Sequence, residues 1–390
     1  MEKKLFLIIT VNKFPFGDAG AVRLMAFSKI LLANGVTPFV ISLGESTDFS
    51  EKVFDGVKHI SLRYNKNNFI HRVSGRLLFV NNLKKVIKDF SVDDICGILF
   101  DSGTLGLFKY LKKIAFKHNI PLFFDDVEWY SACEFRFKAL SPGYIHSNLI
   151  NTKLIDDNLK VISISTYLED YFKSKNITTI RVPVIMDVQN INFCNNTSSD
   201  NRVKIVYAGQ VGGKDRLLEM VQAVSMLSDA QRKRILFNIV GITKDEFISA
   251  FNGEVLEKCA DSVAFYGRVS RDEVLNILNS SNFSYLLRPD NERYAKAGFP
   301  TKIVEALSTG TPVICNLTSD LSLFIKHRVN GIVIKDCSAE ACYEALEEVL
   351  SLPGSEIRNM SFEARKTALD NFDWKNYTQA LGKFLLSSIN

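Results

Sequence analysis

Seventeen consecutive residues, Gly298 to Ile314, read Gly-Phe-Pro-Thr-Lys-Ile-Val-Glu-Ala-Leu-Ser-Thr-Gly-Thr-Pro-Val-Ile. Their types describe a loop, then a helix, then a strand. Pro300 suits the first helical turn because it has no N–H to leave unpaired. Thr301 and Lys302 follow in that turn. The unpaired N–H groups and the positive dipole end of a helix start attract anions, and Lys302 adds a full charge. Glu305 comes one turn later, where its carboxylate can accept hydrogen bonds from two neighbouring hydroxyls. A phosphate site beside an acceptor for a ribose diol is what a nucleotide diphosphate requires. Spacing alone leaves a plain alternative equally open, an amphipathic helix followed by a Gly-x-Pro turn into a strand.

Three further places carry residues fit for chemistry. Gly209, Gly212 and Gly213 form a glycine turn after a short apolar run, with Lys214 next to it. Near the N-terminus, Gly17 and Gly20 permit close backbone approach, and Arg23 falls on the first turn of the helix that follows. Arg23 is either a diphosphate ligand or a solvated side chain; Gly-x-x-Gly is also the signature of a plain tight turn. Asp125-Asp126-Val-Glu128-Trp129-Tyr130 comes directly after an apolar run ending at Phe124. Carboxylates at such a strand end are candidate bases or sugar-hydroxyl acceptors. The alternative is a solvated turn anchored by Trp129. His59, His71, His118, His146 and His327 have no metal-ligand spacing.

Positioning these residues takes regularly alternating elements. Leu5–Val11, Thr37–Ser42, Ile95–Phe100, Pro121–Phe124 and Val161–Ile164 read as buried strands. Ala21–Asn34, Phe79–Phe90 and Leu105–His118 between them carry apolar residues at helical spacing. Val184–Arg202 is polar and loop-like around Asn195 to Asp200. The pattern then restarts, with strands at Lys204–Tyr207, Ile235–Val240, Ser262–Tyr266, Phe283–Leu287, Pro312–Cys315 and Gly331–Ile334 and a helix at Leu217–Leu227. The fold class is α/β, with two doubly wound, Rossmann-like domains in tandem, and ligands of such folds bind beyond the carboxyl ends of the strands. A central cleft between the domains is the expected binding place.

Composition sets wider bounds. The chain has 390 residues, 46% hydrophobic and 23% charged, which describes globular domains and not a disordered chain. No apolar stretch reaches the roughly 20 residues a membrane span needs. Leu5 to Val11 is too short, and lacks the flanks, for an export signal. The seven cysteines include no Cys-x-x-Cys pair, so neither a disulfide framework nor a zinc site is indicated. Net charge is only +5, but it is unevenly placed. Between Leu62 and Lys88 stand Arg63, Lys66, Arg72, Arg76, Lys84, Lys85 and Lys88 with no Asp or Glu. Phe79, Val80, Leu83, Val86, Ile87 and Phe90 share one helical face, and Lys84, Lys85 and Lys88 lie off it. Phe69, Ile70, Leu77 and Leu78 remain as candidate surface apolars. Such a face suits an anionic membrane surface, at about 1 kcal/mol per basic residue, or it is an ordinary solvated helix face.

The Phe299-Pro-Thr-Lys-Ile-Val-Glu305 block resembles the donor-site signature of glycosyltransferase family four, the glycosyl transferases group 1 with the GT-B fold, in its bacterial surface-polysaccharide branch. Lys204 to Lys214 is similar to the family's first C-domain strand and phosphate loop. Val263 to Ser270 is similar to the step before its donor site, and Val161–Ser165 and Arg181–Asp187 to its hinge. Phe372-Asp-Trp374 resembles the segment that crosses back onto the first domain. The resemblance implies an acceptor-binding domain over 1–183, with 372–390 crossing back, and a nucleotide-sugar-binding domain over 184–371. It implies a retaining glycosyltransferase that moves a sugar from a nucleotide-diphosphate donor to a saccharide acceptor. Candidate donor contacts are Gly209, Gln210, Lys214, Arg288, Gly298, Phe299, Pro300, Thr301, Lys302 and Glu305. Gly17, Gly20 and Arg23 form the acceptor and phosphate loop, and catalysis falls to Glu305, Lys302, Asp126 and Glu128.

Two positions depart from the family pattern: Ala297 replaces the first glutamate of the donor motif, and Gln210 stands where an arginine is common. Lys214 is retained, and Arg216 or Arg288 is a candidate replacement for that guanidinium. No cofactor or metal is expected, because Lys214, Lys302, Arg288 and a helix N-terminus suffice to neutralise a diphosphate. The expected acceptor is a lipid-linked saccharide, and the expected location is the cytoplasmic face of a membrane, bound peripherally. No nucleic-acid partner is expected. A GT-B sugar-nucleotide epimerase and a non-catalytic nucleotide-sugar-binding protein are the competing readings.

Overall fold

The computed structural model describes residues 4–17, 19–44, 50–63, 69–101, 105–193, 202–210, 212 and 214–387, without the side chains of 63 and 69–78. The chain divides into two compact units, Met1–Met186 with Trp374–Asn390, and Asp187–Asp373.

The first unit is built on β1 (Leu5–Ile9), β2 (Thr37–Gly44), β3 (Lys52–Phe54), β4 (Val57–Arg63), β5 (Ile95–Phe100), β6 (Leu122–Asp126), β7 (Lys160–Ser163) and β8 (Thr179–Arg181), in the spatial order 3-4-2-1-5-6-7-8. All neighbours pair in parallel except β3 with β4, a hairpin through Asp55-Gly56. Every residue of β5 and β6 is buried. That is why β5 is a continuous apolar run, and β6 is apolar up to its closing Asp125 and Asp126, since a parallel sheet is covered on both faces. Order reverses between β1 and β5, which puts the topological switch point beyond their carboxyl ends.

Lys160–Ser163 and Leu122–Asp126 depart from the sequence-based strand limits by one or two residues. A larger difference is the helix expected at Phe79, which starts at Phe69 and runs to Lys88. Its first half interrupts its apolar residues with Arg72, Gly75 and Arg76, whereas Phe79, Val80, Leu83 and Ile87 of the second half are all buried. Lys84, Lys85 and Lys88 are exposed. Lys66 lies outside the described residues, and the side chains of Arg63, Phe69, Ile70, Arg72, Arg76, Leu77 and Leu78 lie outside the description.

The C-terminal helix Thr378–Leu386 packs on the helix Ala19–Ala33 of the first unit. Leu381 and Leu385 join Phe27, Ile30 and Leu31 in one core cluster. A side chain on Gly382 would land on the Asn34 amide, which is already bonded to the carbonyls of Ile30 and Thr378. Trp374 enters this unit by donating its N–H to Met186 O at 3.0 Å.

The second unit holds β9 (Val203–Ala208), β10 (Ile235–Val240), β11 (Val263–Gly267), β12 (Phe283–Leu286), β13 (Val313–Cys315) and β14 (Gly331–Val333), all parallel, in the order 11-10-9-12-13-14. Its switch point lies between β9 and β12. No helix among the described residues is long and apolar enough to cross a membrane.

Leu381→Ala should lower the stability of the full chain by about 2–5 kcal/mol, because a fully buried leucine leaves a cavity. Denaturant unfolding measures it. A loss below about 1 kcal/mol would show that the C-terminal helix is not part of the first unit's core.

Candidate functional site

At the second unit's switch point, three chain segments converge on one carboxylate. Asp215 follows the glycine turn after β9. The next residue, Arg216, gives its N–H to Leu287 O at 2.9 Å at the end of β12. Lys214 O accepts from Tyr294 Oη at 3.2 Å. These bonds sew the loop to its neighbours and aim Asp215 inward, where its side chain is almost fully buried. Arg288, just beyond β12, donates Nε to Asp215 Oδ1 at 2.9 Å. Asn316 holds Arg288 by both backbone groups, accepting its N–H at 3.0 Å and donating to its C=O at 2.6 Å. Lys302, on the helix Thr301–Ser308, donates Nζ to Asp215 Oδ2 and lies 4.6 Å above the Tyr207 ring. Tyr207 Oη donates to the same oxygen at 3.0 Å.

The electrostatics follow from burial. Burial alone opposes ionisation of Asp215, but the adjacent Lys302 and Arg288 hold its carboxyl down at about 2. Burial lowers the Lys302 ammonium from its ordinary value, against the pull of Asp215. Two cations share one anion, so the cluster carries a surplus positive charge. The terminal nitrogens of Arg288 have no hydrogen-bond partner among the described residues, so donors are left over as well as charge.

The backbone around the cluster admits no side chains. A Cβ on Gly209 would land on Tyr207 Oη and Lys302 Nζ. Gly241, at φ +94°, carries no Cβ because one would meet Gly209 O. Gln210 is exposed, and Lys214 stacks its Nζ 5.3 Å from the Tyr294 ring.

The donor-motif residues fall along one path. Gly298, Phe299 and Pro300 are buried and lead into the helix. Pro300 caps it in an extended conformation, with Thr301 the first helical residue, so the expected place of Pro300 in the first turn is corrected by one position. Its ring closes off the chain's entry while Thr301 and Lys302 take the turn whose N–H groups lack helical acceptors. Glu305 Oε1 accepts from Arg271 Nε at 3.1 Å, and Oε2 has no partner among the described residues. Burial raises the Glu305 carboxyl, and Arg271 opposes the rise. Ala297, in place of a glutamate, is fully buried at the end of the short helix Arg293–Ala297.

In the first unit the expected residues take different roles. Arg23 is neither solvated nor available to a diphosphate. It is 3% exposed, bonded to Asp125 through Nε at 2.8 Å and Nη2 at 2.9 Å, and it also donates to Val182 O and Pro183 O. A guanidinium at this depth must spend its donors on protein, so Arg23 is a positioning residue. Asp125 and Asp126 end β6 inside the unit and are not on a solvated turn. Asp126 is 2% exposed and accepts from Asn151 Nδ2 at 3.1 Å. Burial, and then Asp125, raise its carboxyl well above the usual range. Glu128 is only half-buried and bonds the Tyr130 hydroxyl. Gly17 sits against Lys13 O, where a Cβ would come within 2.6 Å, and Gly20 lies in the first turn of the helix Ala19–Ala33.

Sequence reasoning passed over Asp215, Tyr207, Arg271 and Asp101. Asp101 follows β5 at the first unit's switch point and accepts from Thr10 Oγ1 at 2.8 Å and Asn12 Nδ2 at 3.2 Å. The signal for Asp101 and Asp215 was position, the first carboxylates beyond strands that flank a reversal of order.

Residues 189–367 match the family model described as glycosyl transferases group 1. The match lies within the second unit, and the first unit lies outside it. The chain's fold, over both units, is GT-B. Sucrose-phosphate synthase from Thermosynechococcus elongatus is 15% identical, with 98% of each chain covered and a TM-score of 0.78. HepE of Anabaena, solved with UDP and glucose, is 13% identical over 98% of this chain and 100% of that one, with a TM-score of 0.69. WaaG, a glycosyltransferase involved in lipopolysaccharide biosynthesis, is 15% identical over 97% and 99%, with a TM-score of 0.68. No curated protein sequence matches the chain.

The depressed Asp215 carboxyl makes a pH test. Its contribution is present above the ordinary carboxylate range and is lost as pH falls towards about 2. Asp215→Asn should cost on the order of 2 kcal/mol at neutral pH and shrink the acid-induced loss between about pH 4 and 2. Unfolding measured across that window checks it, and identical pH profiles would contradict the pairing.

Proposed function

We propose that the protein is a retaining, metal-independent glycosyltransferase that moves a sugar from a nucleotide-diphosphate donor to a lipid-linked saccharide in bacterial surface-polysaccharide synthesis. The observation that carries the reading is the surplus positive charge at the second unit's switch point, one helical turn from a carboxylate with a free oxygen. Lys302, Arg288, Lys214 and the start of the helix Thr301–Ser308 take the diphosphate, and Glu305 Oε2 takes the ribose hydroxyls. The UDP of the similar HepE structure is a ligand of this class.

These cations act most strongly on charge that develops as the donor breaks, which is how they accelerate transfer without a metal ion. With Ala297 in place of the first motif glutamate and Glu305 engaged by the ribose, the donor motif has no carboxylate left as a nucleophile, so a front-face displacement fits better than a double one. The acceptor oxygen bonds to the anomeric carbon as the carbon–oxygen bond to the diphosphate breaks, and the acceptor's proton passes to the departing phosphate oxygen. Glu128, the least buried carboxylate beyond β6, orients the acceptor hydroxyl, with Asp126 behind it as a buried support bonded to Asn151. The exposed Lys84, Lys85 and Lys88 favour an anionic membrane surface from the cytoplasmic side, and the similar WaaG takes part in lipopolysaccharide biosynthesis.

Lys302→Ala and Glu305→Ala should each weaken nucleotide-diphosphate binding by about 1–3 kcal/mol, roughly 5- to 150-fold, on calorimetry. Unchanged affinity in both would remove the donor assignment. Turnover should persist in EDTA, and NMR of the product should show the donor's anomeric configuration. Inversion, or an activity restored only by manganese, would refute the mechanism.

A further inference from the structure

Directly after the carboxylates of β6, residues 131–149 of the first unit form a projection of short helices with an exposed apolar tip. Phe137 is 64% exposed and Leu140 is 82% exposed, and Ile145 and Leu149 are exposed one helical turn apart on Pro142–Leu149. Single exposed apolars are ordinary, but four on one short projection call for a partner.

The base of the projection is firmly held. Trp129 is buried, gives Nε1 to Asn148 Oδ1 at 3.2 Å, and packs 4.6 Å from the Tyr171 ring. Phe135 stands 5.7 Å from Tyr130 and 6.2 Å from Tyr144. Gly143 passes so close to Phe135 that a Cβ there would be 2.7 Å from its ring. Ser131 and Glu134 form a reciprocal cap.

The tip is strained as well as exposed. Phe137 N–H donates to Ser141 Oγ at 3.0 Å, closing a turn in which Lys138 adopts φ +47°. A non-glycine residue in that region costs free energy, and here the strain turns Phe137 and Leu140 outward. The charge around them has one sign. Arg136, Lys138 and Lys153 are exposed, and no Asp or Glu occurs from Phe135 to Ile155. The Arg136 guanidinium lies 5.6 Å over the Phe137 ring.

We infer that this projection inserts into an anionic lipid surface, with Phe137 and Leu140 entering the acyl boundary and Arg136, Lys138 and Lys153 remaining among the headgroups. A protein partner would match the apolar tips with a shaped, dry pocket. A fluid bilayer needs only the apolar tips and an uninterrupted cationic collar, which is the combination present. The projection springs from the same sheet edge as Asp125, Asp126 and Glu128, so docking would bring lipid to the acceptor carboxylates. The inference deepens the lipid-linked acceptor proposed above. It is independent of the donor assignment, and it adds an apolar anchor to the electrostatic attraction of Lys84, Lys85 and Lys88.

Co-sedimentation of the full chain with vesicles of phosphatidylglycerol and phosphatidylcholine tests it, with calorimetry of a nucleotide diphosphate as the check on the second unit. Wild type should pellet with the mixed vesicles at low salt and not with phosphatidylcholine alone. Phe137→Ser with Leu140→Ser keeps the charge and should lower the partition coefficient at least about tenfold, as should Arg136→Glu with Lys138→Glu. Both should keep nucleotide affinity and the wild-type melting temperature, since the changed side chains are exposed. Wild-type partitioning of the serine variant would overturn the inference, and loss confined to Lys84→Glu, Lys85→Glu and Lys88→Glu would move docking to that helix. A vesicle-free wild-type dimer that the serine variant dissolves on ultracentrifugation would assign the tip to a second copy and overturn it too. Failure of wild type to bind any vesicle, with nucleotide binding intact, would sink the lipid surface and spare the donor site.

Discussion

A single buried carboxylate carries two cations in the second unit, and the functional edge of that unit is organised round it. Asp215 binds Arg288 from the end of β12 and Lys302 from the following helix, and Tyr207 supports it from β9. Without Asp215, two desolvated cations would repel each other across a site with little water to screen them. One carboxylate removes that repulsion yet leaves positive charge and unused N–H donors. A site of this balance is stable empty and still attractive to an anion of higher charge. The glycines at 209 and 241 are the backbone side of the same constraint, since the Lys302 ammonium and the Gly209 carbonyl occupy the space their side chains would need.

The first unit shows the opposite balance with the same chemistry. Arg23 and Asp125 form a bidentate pair at depth, and two backbone carbonyls take more of the guanidinium's donors. The charge is cancelled and the donors are nearly spent, so the pair fixes the helix Ala19–Ala33 to β6 and to the chain leaving β8. What separates a binding arginine from a structural one here is whether charge and donors remain after the protein has taken its share. The same count separates Glu128 from Asp126, one half-buried with reach to solvent, the other enclosed and pushed towards neutrality.

Much of the architecture was legible because parallel sheets advertise themselves. Ile95–Phe100 is an unbroken apolar run, Ile235–Val240 is interrupted only by Asn238, and Leu105–His118 has a clean helical period. Elements whose stability is borrowed from neighbours were not legible. The hairpin Lys52–Phe54 with Val57–Arg63 is short and interspersed with charge, and it exists because β4 pairs with the buried β2. Phe69 to Leu78 reads as candidate surface apolars among Arg72 and Arg76, and its helix is a continuation of the amphipathic half that follows.

The donor residues divide in the same way. By itself the sequence determined the helix start with Lys302 and Glu305, because local rules of capping, dipole and spacing act within a turn or two of chain. It also determined the parallel, twice-repeated strand and helix order, which depends on hydrophobic period alone. Only the tertiary structure decided that Asp215 pairs with residues 73 and 87 positions away, and that Arg23 pairs with one 102 positions away. Composition assigns a carboxylate or guanidinium its charge, but its partner is set by which loops the strand order brings to one sheet edge. That order is a property of the packed sheet, so the roles of these ions were settled there.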